Sequence, residues 1–169
     1  MIRMLFILML FFNLADAQFQ KNFPFVGIFA STETINLNNE DPTHKSGIGI
    51  RYGQQSQDWR TTFTLDHHNQ SYNSFSVEID KILLDEMFGT PKLRPYLGGT
   101  AGYLKYDEDA LEGIPFEESN GFYYGGNFGF IIYATDDIDV DLGYHYYKVQ
   151  NLDFLDDLHG LTLAVHYFF

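Results

Sequence analysis

The sequence predicts an all-β protein: an eight-stranded antiparallel up-and-down β-barrel that crosses a membrane, preceded by a cleaved signal peptide. Three observations lead to this prediction. The chain begins with the pattern of a secretory leader, its remainder divides into extended segments with alternating apolar positions, and it stops on an aromatic residue at the end of the last segment. Because successive side chains of a strand point to opposite faces, such alternation separates a lipid-facing side from a lumen-facing side.

The N-terminal segment is typical of a signal peptide. Arg3 supplies a positive charge, the apolar run 4–12 follows it, and the tripeptide Ala-Asp-Ala at 15–17 fits a small-x-small cleavage site. The apolar run is shorter than the roughly 20 residues that a membrane-spanning helix needs. We therefore expect residues 1–17 to be removed and residues 18–169 to form one exported domain, with an uncleaved anchor as the alternative.

Composition narrows the class of the exported domain. The sequence contains no Cys, so it offers neither disulfides nor thiolate metal ligands. It contains 17 Phe and 12 Tyr, more than a soluble core of this size needs, and Tyr is enriched where a protein meets the membrane interface. The net charge of -13 argues against nucleic acid as a partner, because a phosphate-binding protein needs a basic surface. No cofactor is predicted.

Eight extended segments occur at nearly regular spacing, without a convincing helical period. An even number of antiparallel strands lets the sheet close on itself, which leaves no unpaired edge in lipid and puts both termini on one side. The predicted strands are 25–36, 46–55, 59–66, 72–83, 94–106, 121–134, 138–148 and 159–169.

The predicted connections alternate in length. Short periplasmic turns and long extracellular loops are the pattern of outer-membrane barrels, so we place both termini in the periplasm and the long loops outside. The periplasmic connections are then 56–58, 85–93 and 135–137, and the extracellular ones are 37–45, 67–71, 107–120 and 149–158. The connection 85–93 is long for a periplasmic turn, and we assign no role to it.

Where the alternation is clean, it divides a strand into an apolar and a polar face. In predicted strands two, three, four, seven and eight the apolar set should face lipid and the polar set the lumen. The phase of strands one, five and six stays open, because Gly and aromatic residues occur on both faces. The expected polar network of the lumen comprises Arg51, Arg60, Glu78, Asp80, Asp141, His145 and His166.

These lumen charges are expected to pair with one another. An eight-stranded barrel is only wide enough for side chains to fill, so bonding between guanidinium and carboxylate groups across the lumen is favoured over an open pore. One interpretation is a polar core that merely closes the barrel. The other is a gate or plug in which His145 and His166 are the titrating members.

Two features of the extracellular end are candidate binding sites. Lys105 and Lys148 lie near the outer ends of strands, where they would contact lipopolysaccharide phosphates or simply extend to the interface. The third and fourth extracellular loops are rich in carboxylates, but their spacing matches no calcium loop, so a solvated acidic rim is the default interpretation. The candidate ligands for a divalent cation are Asp107, Glu108, Asp109, Asp156 and Asp157.

A catalytic site is a weaker interpretation of the second extracellular loop. A hydrolase needs a Ser activated by a His, with a carboxylate behind the imidazole. Loop polarity accounts for such residues without chemistry, and adjacent residues such as His67 and His68 point to opposite faces of a strand. The candidates are His67, His68, Ser71 and Ser74 with Asp66, and no catalytic residue or metal site is predicted from them.

The chain resembles the small bacterial outer-membrane barrels of the OmpA type and the opacity-protein-like barrels. The resemblance rests on the leader, the eight amphipathic strands, Pro95-Tyr-Leu-Gly-Gly-Thr-Ala-Gly-Tyr103, Asp141-Leu-Gly-Tyr-His-Tyr-Tyr147 and the terminal Phe169. It implies a place in the outer membrane among its lipids and lipopolysaccharide. It also implies insertion by the barrel-assembly machinery, with Phe169 and Tyr167 acting as the assembly signal.

The resemblance predicts the fold more specifically than the function, because such barrels serve many roles. We expect a structural or adhesin-like role without catalysis, in which acidic extracellular loops contact an unidentified extracellular or host ligand. The alternatives are an outer-leaflet lipid-modifying enzyme of the lipid A deacylase kind and a narrow channel. A soluble periplasmic barrel of the lipocalin type is the alternative fold.

Overall fold

Eight antiparallel strands form a closed barrel. The computed structural model describes residues 22–37, 42–68, 72–83, 89–106, 119–152 and 155–169. Each strand pairs with the next, and the last pairs with the first, so the predicted eight-stranded antiparallel up-and-down barrel is confirmed. The strands are β1 (Phe23–Leu37), β2 (Thr43–Gln55), β3 (Trp59–His68), β4 (Tyr72–Ile82), β5 (Leu93–Tyr106), β6 (Asn120–Tyr133), β7 (Ile138–Gln150) and β8 (Leu155–Phe168). Within the described ranges, no helix has the length and hydropathy of a membrane span.

The pairing of β8 with β1 closes the barrel. Phe25 lies opposite Phe168, and the ladder continues to Asn36 opposite Asp157 before a bulge shifts the register. Beyond the ladder, the amide of Phe169 donates to the carbonyl of Pro24 at 3.1 Å. The end of the chain is therefore tied to its first strand, which leaves no open edge in the sheet.

The two ends of the barrel differ in their connections. We name the end where β1 begins and β8 stops the termini end, and the opposite end the loop end. Several strands extend further toward the loop end than predicted, most of all β2, which begins at Thr43 rather than 46, and β8, which begins at Leu155 rather than 159. In β2 the polar segment Thr43–Lys45 continues the ladder with β1. The connections at the loop end are 38–42, 69–71, 107–119 and 151–154, and those at the termini end are 56–58, 83–92 and 134–137.

The expected contrast between short and long connections is consequently weaker than the sequence suggested. At the loop end only 107–119 is long, and at the termini end 83–92 is the long connection. A paired strand satisfies its backbone hydrogen bonds through the ladder, so the pairing persists past the last apolar residue. Loop length alone does not decide the orientation of this barrel.

The outward faces form a continuous apolar band. The predicted facing of strands two, three, four, seven and eight matches the observed burial, and the phases that the sequence left open are now defined. Aromatic side chains lie toward both rims, as in the girdles of membrane barrels. Exposed apolar residues of the band include Val26, Ile28, Ile48, Ile50, Trp59, Phe63, Leu65, Phe75, Ile79, Leu97, Tyr103, Phe122, Tyr124, Phe128, Leu142, Tyr146, Leu161, Leu163, Val165 and Tyr167.

Apolar clusters line the lumen near both ends. The termini-end cluster consists of Ile82, Tyr96 and Ile131, with Tyr133 packed against it. The larger loop-end cluster consists of Ile35, Tyr72, Leu104, Tyr106, Tyr123, Val149, Leu152, Leu155 and Leu158. The space between the two clusters holds the polar and charged side chains of the lumen.

Candidate functional site

Two polar clusters occupy the lumen between the apolar clusters. The one nearer the termini end is centred on Arg60 of β3, and we call it the Arg60 cluster. The one nearer the loop end is centred on Glu33 of β1, and we call it the Glu33 cluster. Both arise because inward positions of neighbouring strands face each other across a lumen only wide enough for side chains.

In the Arg60 cluster one guanidinium binds two carboxylates of β7. Its Nη2 lies 2.5 Å from Asp139 Oδ2 and its Nη1 lies 2.8 Å from Asp141 Oδ2. Nε donates to Gln55 Oε1 at 2.7 Å, so all three nitrogens of the guanidinium have an acceptor. The guanidinium also lies over the ring of Phe25, with 5.3 Å between its central carbon and the ring centre.

Further contacts extend the Arg60 cluster across the barrel. His166 Nδ1 lies 2.7 Å from Asp139 Oδ1. The Tyr96 hydroxyl donates to Asp141 Oδ1 at 2.9 Å, while Arg51 Nη1 lies 3.6 Å from the other oxygen of the same carboxylate. Because these charged groups share partners, the loss of one side chain would leave the charge of another buried and unpaired, which is energetically costly.

The Arg60 cluster fills its section of the lumen. Arg60 is 1% exposed, and Asp139 and His166 are fully buried. Side chains that line a water-filled channel would be accessible along their length. This section of the lumen is therefore a packed polar core, and it has no continuous water path along these groups.

In the Glu33 cluster one carboxylate lies between two imidazoles. Glu33 Oε2 lies 3.4 Å from His68 Nε2, and Glu33 Oε1 lies 3.1 Å from His145 Nε2. The Tyr72 hydroxyl donates a hydrogen bond to Glu33 Oε2. Both rings are stacked on tyrosines, His68 on Tyr72 at 4.4 Å and His145 on Tyr147 at 4.7 Å between ring centres. The imidazoles are therefore held in fixed orientations.

The same cluster contains a serine, a histidine and an aspartate in the order of a hydrolytic triad. Ser31 Oγ lies 3.2 Å from His68 Nε2, and Asp66 Oδ1 lies 2.7 Å from His68 Nδ1. The setting does not suit acyl transfer, since Ser31 is 4% exposed and His68 1% exposed inside the lumen, below the loop-end apolar cluster. A lipid substrate could not approach Ser31 Oγ in this arrangement.

The comparisons with known proteins agree with this architecture. Neisserial surface protein A has 16% sequence identity and a TM-score of 0.64, over 86% of this chain and 97% of that chain. Outer membrane protein H (OprH) of P. aeruginosa has 19% identity and a TM-score of 0.63, over 87% of this chain and 99% of that one. The attachment invasion locus protein Ail of Yersinia pestis, solved with the heparin analogue sucrose octasulfate, has 14% identity and a TM-score of 0.55, over 88% and 99%.

The chain has the fold of a small outer-membrane barrel. No family model matches the sequence, and no curated protein matches it either. At identities below 20% the structural likeness establishes architecture and leaves function to the particular residues of this chain.

In this barrel all seven residues of the expected lumen network point inward. The structure brings Arg51, Arg60, Asp141 and His166 into one cluster. His145 belongs to the other cluster, with Glu33. Glu78 and Asp80 lie on β4, where Glu78 Oε2 accepts from Thr100 at 3.3 Å and Asp80 Oδ1 accepts from Asn127 at 2.6 Å.

Sequence reasoning missed the two acidic residues on which the clusters depend. Glu33 was overlooked because the phase of β1 was undecided, although its alternation with the inward Ser31 and Ile35 carries the signal. Asp139 shares the polar face of predicted strand seven with Asp141, but the expected lumen network does not include it. The sequence offers His68 as a weak candidate for catalysis and, together with His67, for metal binding, and the structure places it in the lumen with Glu33.

Of the catalytic candidates, Asp66, His68 and Ser74 meet in the lumen, where Asp66 Oδ1 lies 2.7 Å from His68 Nδ1. His67 is exposed on the outer face, where its Nδ1 lies 2.7 Å from Asn73 Oδ1, while His68 points into the lumen. Ser74 Oγ donates to Asp66 Oδ2 at 3.3 Å and lies 3.1 Å from the Tyr123 hydroxyl, without contact to a histidine in these bonds. Ser71 lies outside the described residues.

The candidate surface sites lie at the loop end. Lys105 and Lys148 are exposed on the outer face of β5 and β7. Of the acidic candidates, Asp156 is exposed, and Asp157 Oδ1 accepts a hydrogen bond from Asn36 at 2.6 Å. Asp107, Glu108 and Asp109 lie outside the described residues.

Proposed function

We propose that the chain is an outer-membrane protein with a structural or adhesin-like role, acting through its loop end rather than through its lumen. In this proposal the segment 1–17 directs export and the termini end faces the periplasm. The observation that carries it is the combination of an apolar outer band with a packed, ion-paired lumen. Such a barrel is stable in lipid but presents to the cell exterior only its rim and loops.

The packed lumen argues against transport. A channel needs a continuous polar path, whereas here the Arg60 cluster and the loop-end apolar cluster lie in series along the axis. The burial of Ser31 and His68 argues equally against a hydrolase that works from the lumen. The surface at the loop end is what remains for recognition.

The charge of the loop end favours cationic partners over polyanions. The connection 107–119 is strongly acidic and contains no Lys or Arg, and the whole sequence carries a net charge of -13. Ail was solved with a sulfated polyanion, and the acidic loops of this chain would repel such a ligand. We therefore propose a basic protein surface, or cations held by lipopolysaccharide, as the partner of the acidic loops, with Asp156 and Asp157 at the edge of that surface.

Lys105 and Lys148 are proposed to contact lipopolysaccharide phosphates. Both side chains are exposed on the outer face at the loop end, next to the apolar band. That is the height at which lipid phosphates meet a barrel whose loop end is outside. Exchange of both for Gln should reduce the lipopolysaccharide that co-purifies with the protein, and unchanged co-purification would exclude the contact.

Two measurements separate the proposed role from its rivals. Purified barrel in a planar bilayer should give a sealed trace, whereas steady unitary conductance would show a channel. Mass spectrometry of lipid A from cells with and without the protein should show the same acyl pattern, whereas a changed pattern would show a lipid-modifying enzyme.

Deletion of residues 108–118 tests the role of the acidic loop. It should abolish binding of a basic partner without affecting insertion, and retained binding would contradict the role of the loop.

A further inference from the structure

We propose that the Glu33 cluster binds a divalent transition-metal ion, with zinc as the best fit to its ligands. Glu33, Asp66 and His68 each present one ligand atom, and the three atoms lie within 4.8 Å of one another. Two carboxylates and an imidazole are donors that zinc accepts, with bonds of about 2.0–2.2 Å to nitrogen and oxygen. This site goes beyond the proposed surface role, which needs no ion in the lumen.

Unsatisfied atoms around the cluster point to a missing partner. Asp66 Oδ1, His68 Nδ1 and His145 Nε2 are buried without a hydrogen-bond partner among the described residues. Asp66 Oδ1 lies 2.7 Å from His68 Nδ1, and His145 Nε2 lies 3.1 Å from Glu33 Oε1, yet neither pair has the direction of a hydrogen bond. Buried polar atoms are normally bonded, and a cation beside the imidazole of His68 would satisfy both Asp66 Oδ1 and His68 Nδ1, which lie 2.7 Å apart.

The imidazoles of the cluster are held in place as metal ligands usually are. Tyr72 is stacked on His68 with 20° between the planes, and Tyr147 on His145 with 11°. His68 also packs onto Gly47, where a Cβ atom would lie within 2.7 Å of three atoms of the ring. Rigid support of this kind reduces the entropy lost when an ion orders its ligands.

The chemistry of the donors favours zinc over calcium. Calcium takes six to eight oxygen ligands, whereas the cluster combines Glu33 and Asp66 with the imidazole of His68. Ligand atoms around a tetrahedral zinc ion lie roughly 3.3 Å apart. Asp66 Oδ1 already lies 2.7 Å from His68 Nδ1, whereas Glu33 Oε2 faces the other ring nitrogen at 3.4 Å, so the Glu33 carboxylate turns toward Nδ1 when the ion binds. His145 lies outside this set of three ligand atoms, with its Nε2 3.1 Å from the other carboxylate oxygen of Glu33.

Zinc binding by the purified barrel in detergent tests the site. Isothermal titration with zinc chloride, and elemental analysis after dialysis, should give one zinc ion per chain. The variants H68Q and E33Q should each weaken zinc binding at least about 100-fold, since loss even of a group that only orients a ligand costs about 10- to 100-fold. The matched control is H67Q, because His67 is the next residue but lies on the outer face. It should bind zinc as the parent chain does.

The proposal is overturned if the parent chain binds no stoichiometric zinc, or if H68Q and E33Q retain it. Because a lumen variant can fail to insert, each variant is first checked for heat-modifiable migration on a gel. Anomalous scattering from zinc-soaked crystals of the parent chain gives an answer that needs no variant. Zinc between Glu33 and His68 supports the site, and zinc found only at exposed histidines such as His44 or His67 overturns it.

Discussion

At the scale of single residues, the stability of the barrel depends on how its buried charges are paired. Arg60 is the shared partner of Asp139 and Asp141, and all three side chains are buried. A buried ion pair need not stabilise the folded state more than apolar residues of the same shape, because the cost of desolvating the charges offsets much of their attraction. The loss of one member is different, since it leaves unpaired charge in the lumen.

We predict that Arg60→Met destabilises the barrel by about 3–5 kcal/mol, because Asp139 and Asp141 lose their shared cation. The control is Lys81→Gln, which breaks an exposed pair with Asp58 at 3.1 Å and should cost about 0–1 kcal/mol. Urea unfolding in lipid vesicles, followed by gel mobility, measures both. Equal costs for the two variants would show that the Arg60 cluster does not stabilise the lumen.

At the scale of strands, β5 shows how glycine defines a face that sequence patterning left open. Gly98 and Gly99 are adjacent, but only Gly98 points into the lumen. A Cβ atom at Gly98 would lie 1.9 Å from Asp80 Oδ1 and 2.6 Å from the carbonyl oxygen of Ile79, whereas one at Gly99 would have its nearest neighbour at 3.6 Å. The two adjacent glycines therefore have almost the same sequence context, but only Gly98 is closely packed against neighbouring atoms.

We predict that Gly98→Ala destabilises the barrel by about 1–3 kcal/mol through overpacking against Asp80 and the backbone of β4. Gly99→Ala should stay within about 0.5 kcal/mol of the parent chain, because its methyl group enters lipid. The same urea titration measures both variants. The reverse order of the two effects would mean that β5 has the opposite phase.

The outer face of β8 gives a second test at this scale. Leu163 lies near the middle of the apolar band and Tyr167 near the termini end. We predict a cost of about 2–4 kcal/mol for Leu163→Lys and about 0–1 kcal/mol for Tyr167→Lys, because a lysine is penalised most at the bilayer midplane. Reversible unfolding from vesicles gives both values. Similar costs at the two positions would contradict a membrane band centred on Leu163.

The strands could be predicted from the sequence because alternation of apolar and polar residues with a period of two is typical of a strand with one apolar face. The alternation did not define the inward face of β5 and β6. In the lumen, tyrosines such as Tyr96 and Tyr123 pack against glycines, so Gly and aromatic residues occur on both faces of these strands. The contacts within the Arg60 and Glu33 clusters could not be predicted from the sequence. Arg60 meets Asp139 across 79 residues of chain, and that contact depends on the register of all the strands between them.

At the scale of the whole molecule, apolar and polar layers alternate along the lumen. The termini-end apolar cluster, the Arg60 cluster, the Glu33 cluster and the loop-end apolar cluster follow one another along the axis. Each layer uses inward positions of several strands, so no strand carries a complete site.

We propose that this barrel spans the outer membrane with its loop end outside. The chain contains no Cys, so the variants Glu117→Cys, in the connection 107–119, and Asp136→Cys, at the termini end, each give one labelling site. Labelling intact cells with a polyethylene-glycol maleimide too large to cross the outer membrane is the most direct test. We predict that Glu117→Cys is labelled in intact cells and Asp136→Cys only after permeabilisation. Labelling of Asp136→Cys in intact cells, or protection of Glu117→Cys, would contradict the claim.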